Sequence, residues 1–153
     1  MKPITVALAA TLLWLPTICH GRELADATQD ARETLAGELS RCAAYYELTA
    51  AEIEGTNFPG QARNQGVAQA KQVSKVAMDM AAQLSSQTVV AARMDFDRQM
   101  MQREINNDWR NFSPIAARYT VPCKDIVERP EQRFGYLVNE MLKRPDVPPA
   151  KPK

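Results

Sequence analysis

Cys42 and Cys123 are the residues whose type and placement point most directly to chemistry. A redox-active pair prefers close spacing, as in C-x-x-C, with one thiol pKa lowered by its surroundings. Here 80 residues intervene, and that spacing favours a structural disulfide. The methionines suggest a second chemistry, because thioethers hold Cu(I). The candidates are Met78 and Met80, and Met94 through Met101. Side chains two residues apart on a helix diverge by about 200°, so Met78 and Met80 do not share an ion there. Met94 and Met101 do share a face, but that face is an apolar seam, where methionine fills a core.

Charged residues offer two more patterns. Asp95 and Asp97 form a D-x-D pair, yet on a helix they also diverge, and no histidine or glycine-rich loop adjoins them. Arg93, Arg98, Arg103 and Arg110 alternate with Asp95, Asp97, Glu104 and Asp108, an order that favours surface ion pairs over an anion-binding stripe. Tyr45, Tyr46 and Trp109 are of types enriched at partner contacts. The seam described below takes Tyr46 inward and leaves Tyr45 on its flank. No catalytic, cofactor-binding or metal-ligating residue is assigned.

The N-terminus constrains the chemistry further. Met1-Lys2-Pro3 precedes an apolar run, Ile4 to Leu15, closed by Pro16. This is the layout of a cleavable export signal, and it is too short for the roughly 20 residues of a membrane-spanning helix. Cys19-His20-Gly21 supplies a small residue at the last position before a cut after Gly21; cuts after Ala25 or Ala27 are alternatives. Ile18 disfavours lipid attachment at Cys19, since a small residue is expected there. Removing residues 1–21 takes away His20, the only histidine, and with it imidazole-based catalysis and most zinc or haem sites. It also removes Cys19, leaving two cysteines able to pair in an oxidising compartment. Without Lys2 the count is 18 basic against 18 acidic residues, so the bulk field that draws proteins to nucleic acid is missing.

The elements that must position these residues read as helices. Residues 26–54 lack Pro and carry a seam at Ala31, Leu35, Leu39, Cys42, Tyr46, Thr49 and Ile53, with Asp26 and Gln29 as a capping box and Gly55 as the stop. Turn formers fill 55–60. From Gln61 to Ser113 no Pro occurs, and a seam runs through Gly66, Ala70, Val73, Ala77, Met80 and Leu84 to Ala91, Met94, Met101, Ile105 and Phe112. A straight helix here would carry Phe112 about 75 Å from the first turn, while Cys42 lies about 20 Å from it. Eleven further steps reach at most about 40 Å, and a disulfide needs Cα atoms within about 7 Å. An intramolecular bond therefore requires a helical hairpin turning at Ser85 to Thr88; a straight helix would leave the bond intermolecular or absent. Beyond Ser113-Pro114, expected as cap and first turn, short helical turns are predicted at 115–120 and 123–127. A final helix is predicted from Pro130, with Phe134, Leu137 or Val138, and Met141 or Leu142 inward. The stretch 144–153 has four prolines in ten residues and is predicted to be disordered or polyproline-like.

The expected architecture is an all-α, antiparallel bundle of three long helices plus a shorter C-terminal helix, with one intramolecular disulfide. A signal at 1–21, a single domain at 22–143 and a tail at 144–153 make up the chain. For function, the reading is an exported, non-catalytic binding or accessory protein of the cell envelope, periplasmic or secreted. It expects a protein partner, no cofactor, no nucleic acid and no integral membrane segment after signal removal. The alternatives are a small helical enzyme with an Arg/Glu-lined interhelical pocket, chorismate-mutase-like by fold analogy only, and a Met-rich Cu(I) carrier.

Overall fold

Long stretches free of helix breakers, punctuated by Gly, Pro and Asn, give a structure in which every regular element among the described residues is helical. The computed structural model describes residues 19–57 and 59–144. Its elements are α1 Cys19–Glu54, α2 Gly60–Leu84, α3 Gln87–Glu104, α4 Ser113–Glu128 and α5 Pro130–Leu142, with one 3₁₀ turn at Trp109–Asn111. No helix among the described residues is long and apolar enough to cross a membrane. Residues 1–18 of the expected signal and residues 145–153 of the expected tail lie outside the described residues, while residues 19–21 belong to α1.

Several boundaries fall where local chemistry puts them. Gly55 ends α1, its N–H reaching back to the carbonyls of Ala51 and Glu52. Ser85 and Ser86 separate α2 from α3, and the Ser86 hydroxyl accepts from the Val89 N–H as an N-cap. Pro130 opens α5, where its missing N–H costs nothing.

Other boundaries differ from expectation. Helix α1 starts by Cys19, so Asp26 and Gln29 are interior; Gln29 spans one turn to Glu33 instead of capping. Helix α3 stops at Glu104 because Asn106 and Asn107 take left-handed backbone, both at φ 54°, which asparagine tolerates better than most residues. Phe112, not Ser113, occupies the cap position of α4. The two short turns expected at 115–120 and 123–127 are one continuous helix with Pro122 inside it. A mid-helix proline removes a backbone hydrogen bond and costs about 3 kcal/mol. Pro122 lies on the exposed side, and its neighbour Cys123 is fixed by the disulfide and by packing, which offsets the loss.

Helix α1 is the centre of the structure. From Leu35 to Ala50 it buries residues on nearly all sides: Leu35, Ala36, Leu39, Ser40, Cys42, Ala43, Ala44, Tyr45, Leu48 and Ala50. A helix apolar all round is one surrounded by neighbours, and α1 touches α2, α3, α4 and α5. Along α2 the partners run in opposite chain order: Ile53 meets Gly66, and the Ser74 hydroxyl donates to the Ala43 carbonyl at 3.0 Å. Along α3 they run in the same order, Glu33 with Arg93 and Arg41 with Asp97. Helix α5 is tied by a two-pronged ion pair, Arg133 to Glu38, at 2.8 and 2.5 Å. Alanines 27, 31, 43, 77 and 81 share one core cluster with Leu35, Leu39, Val90, Leu137 and Met141. The second cluster surrounds the disulfide: Tyr45, Leu48, Met101, Ile105, Phe112 and Ile115.

The 3₁₀ turn carries a pH-dependent device. Asp108 accepts from the Arg110 backbone N–H at 3.1 Å and from its guanidinium, and these bonds hold its carboxyl below the ordinary value of 3.8. Because the folded pKa is the lower one, the cap is intact above the ordinary carboxylate range and is lost as pH falls through the depressed value. Acid titration of Trp109 fluorescence should show a transition below 3.8, absent in Asp108→Asn. A transition unchanged in that variant would refute the assignment.

Candidate functional site

Cys42 and Cys123 meet as the spacing argument requires. Their Sγ atoms lie at disulfide distance, 2.15 Å, with Cα atoms 5.2 Å apart, and both residues are buried. Tyr45 packs beside them. Its ring stacks on Phe112 at 6.2 Å between centroids and tilts against Tyr119 at 5.9 Å. The Thr120 hydroxyl donates to the Ala116 carbonyl at 2.7 Å, so the Tyr45 hydroxyl is the donor in its own 2.7 Å bond to Thr120. Tyr45, expected on the flank, is therefore the buried member of its pair, at 4% exposure, and Tyr46 is half-buried. Tyr46 faces a cleft of about 490 Å³ between α1, α2 and α4; burial, then Tyr45 and Glu128, raises its hydroxyl pKa. Trp109 tilts against Phe112 at 6.2 Å.

The remaining sequence candidates disperse. Met78, Met80 and Met94 pack at the edge of the first core cluster, whereas Met101 is buried in the second. Asp95 pairs with Arg98 and Gln99, and Asp97 pairs with Arg41 on α1 at 3.4 Å. Arg98 also reaches Glu47 at 3.9 Å, Arg110 binds Asp108, and Arg93 donates to the Glu33 carbonyl at 3.2 Å. These arginines form no common stripe. Among the described residues no group of three or more His, Cys, Asp or Glu is placed to hold a metal ion.

The feature that stands out was not singled out by the seam. Val89, Ala92, Phe96 and Met100 recur at steps of three, four and four, a single face of α3, and all are exposed. Phe96 is 63% exposed, an unusual cost for an aromatic with a core nearby. The stripe borders an open groove of about 810 Å³ whose other walls are Asp30, Glu33, Gly37 and Arg41 of α1, with Met141 and Arg144 at the end of α5. Beyond Asp97 the groove is continued by a second cleft of about 490 Å³ formed by Met100, Arg103, Glu104, Arg118 and Tyr119. Arg118 bridges the helices through Glu104 at 2.6 and 2.9 Å. The groove thus presents an apolar strip flanked by both signs of charge, with Arg93 committed only to a carbonyl among the described residues. The chain matches no protein-family model, no curated protein and no solved structure, so the groove is read from its own residues.

Proposed function

We propose that this chain is exported, loses its leader after Gly21, and serves as a non-catalytic binding or accessory protein of the cell envelope. In this reading it is periplasmic or secreted, an antiparallel bundle of three long helices with a shorter final one, and its 144–153 stretch is a tail outside the domain. The observation that carries the binding reading is the exposed face Val89, Phe96 and Met100 beside a charged groove. Apolar side chains left in line on one helix are what a protein partner covers, with aromatic anchors giving most of the affinity. Affinity capture from envelope extract tests it. The wild-type chain should retain a defined partner that Phe96→Asp loses at least about tenfold, a loss of roughly 1.4 kcal/mol. Equal capture by both would remove α3 from the reading.

A catalytic reading has one observation in its favour: Arg41, Arg93, Arg144, Asp30, Glu33, Glu38 and Asp97 all line the same groove. Against it, Arg41 is paired with Asp97 and Glu38 with Arg133, and the groove opens to water, where charge stabilisation is weak. Turnover of a small anionic substrate that Arg93→Ala abolishes would reverse the ranking.

A further inference from the structure

We propose that the cleft between α1, α2 and α4 binds an apolar amino acid as its zwitterion. Lys124 takes the carboxylate, Glu128 and the Tyr46 ring take the ammonium, and Ile53, Val73 and Val127 receive the side chain. The cleft shares no lining residue with the α3 groove or its continuation, so this site stands whether or not that groove holds a partner.

Helix α4 supplies the charges. Its C-terminal half carries two pairs of opposite charge one turn apart, and only one of them closes. Asp125 pairs with Arg129, acid ahead of base, the order that suits the helix dipole. Lys124 and Glu128 stand in the reverse order; neither makes an ion pair or a side-chain hydrogen bond among the described residues, and both line the cleft. Tyr46, half-buried, is the third uncommitted group, its hydroxyl without a partner among the described residues. Burial, then Tyr45 and Glu128, raise its pKa, so the phenol keeps its proton and can donate. The Thr49 hydroxyl is already spent on the Tyr45 carbonyl at 2.9 Å. Opposite stands an apolar wall, where a Cβ on Gly66 would already touch Ile53 at 3.4 Å and Ala70 and Val73 continue along α2. A few polar groups placed over an apolar lining, in about 490 Å³, are what a small-molecule site offers.

The charges of that lining sum to zero, and this selects the ligand. A simple anion would meet Glu128, and a simple cation would meet Lys124. A ligand carrying both signs on one carbon finds a partner for each, because four helical residues rise only about 6 Å. The ammonium gains further from the Tyr46 ring, as cations do over aromatic faces. Lys124 and Glu128 remain in contact with water, which keeps the affinity modest.

Amide-resolved NMR titration of the intact chain with L-leucine tests this. The resonances of Tyr46, Gly66, Val127 and Glu128 should move together and saturate with a Kd on the order of 1 mM. Glycine, which lacks the side chain, should bind at least about fivefold more weakly. Lys124→Met and Glu128→Gln, at exposed positions, should leave the circular dichroism unchanged and each weaken L-leucine about fivefold. Matching ligand groups to residues is the sharper readout. Leucinamide, without the carboxylate, should not be weakened by Lys124→Met, and 4-methylpentanoate, without the ammonium, should not be weakened by Glu128→Gln. The proposal is overturned by the lack of a saturable shift at about 20 mM L-leucine, by saturable shifts confined to other parts of the chain, or by either variant binding L-leucine as the wild type does. Leucinamide bound as tightly as L-leucine would overturn it too, since the site would then recognise a simple amine.

Discussion

Replacing both bridging cysteines, Cys42→Ala with Cys123→Ala, should cost about 4 kcal/mol and lower the urea midpoint by about 2 M. The magnitude follows from the 81-residue separation. Cross-linking residues so far apart removes much of the loop-closure entropy of the unfolded chain, and the gain grows only with the logarithm of loop length. The folded state should change little, because the disulfide is surrounded by packing that does not depend on it: Tyr45, Phe112, Ile115 and Met101. Urea titrations of the wild type with and without reductant, set beside the double variant, check this. Reduced wild type and variant should agree, and a midpoint insensitive to reductant would show that the bridge contributes nothing. Intact mass under non-reducing conditions separates an intrachain bond from a covalent dimer.

Leu39→Ala should cost about 3 kcal/mol, within the range for fully buried leucines. Leu39 has no exposed surface and is held among Ala31, Leu35, Ala43, Ala77 and Ala81. Alanines have no rotamer with which to fill a hole, so the cavity on their side persists. Met141 in the cluster and Met78, Met80 and Met94 at its edge are supple enough to lean inward, which keeps the loss from the top of the range. Leu39→Met, nearly equal in volume, should cost less than about 1.5 kcal/mol. Equilibrium unfolding with an unchanged urea slope is the measurement. A cost for Leu39→Ala below that of Leu39→Met would show that the cluster is not a packed core.

Much of the architecture was legible because it depends on local signals. The helical class, the turn at Ser85-Ser86, the start at Pro130 and the meeting of Cys42 with Cys123 all follow from breakers, caps and reach. The phase of the buried faces was less legible. A seam drawn on α1 assumes one buried side, and α1 has neighbours on nearly every side, so Tyr45 is buried where periodicity placed a flank. Carrying the α2 seam straight across the turn selected Ala91, which is exposed, instead of Val90, which is buried, because two residues of non-helical backbone reset the phase. The continuity of α4 was not legible, because Pro122 reads as a break between two short turns and tertiary packing overrides that proline. Phe96 and Met100 lie off the seam carried into α3, on a second apolar line of the same helix, which a single-seam reading of α3 does not contain. Its signal was present in the spacing of Val89, Phe96 and Met100.

The placement of α1 gives the molecule the topology of a hub with spokes. Helices α2, α3 and α5 lean chiefly on α1, while α4 divides its contacts between α1, to which the disulfide ties it, and its other neighbours. Damage to a spoke is then contained, since its neighbours keep their own purchase on the hub. Damage to the hub is shared by all. The chain thereby concentrates its mutational fragility in one segment and leaves the outward faces of the spokes, α3 among them, free to vary with whatever they come to hold.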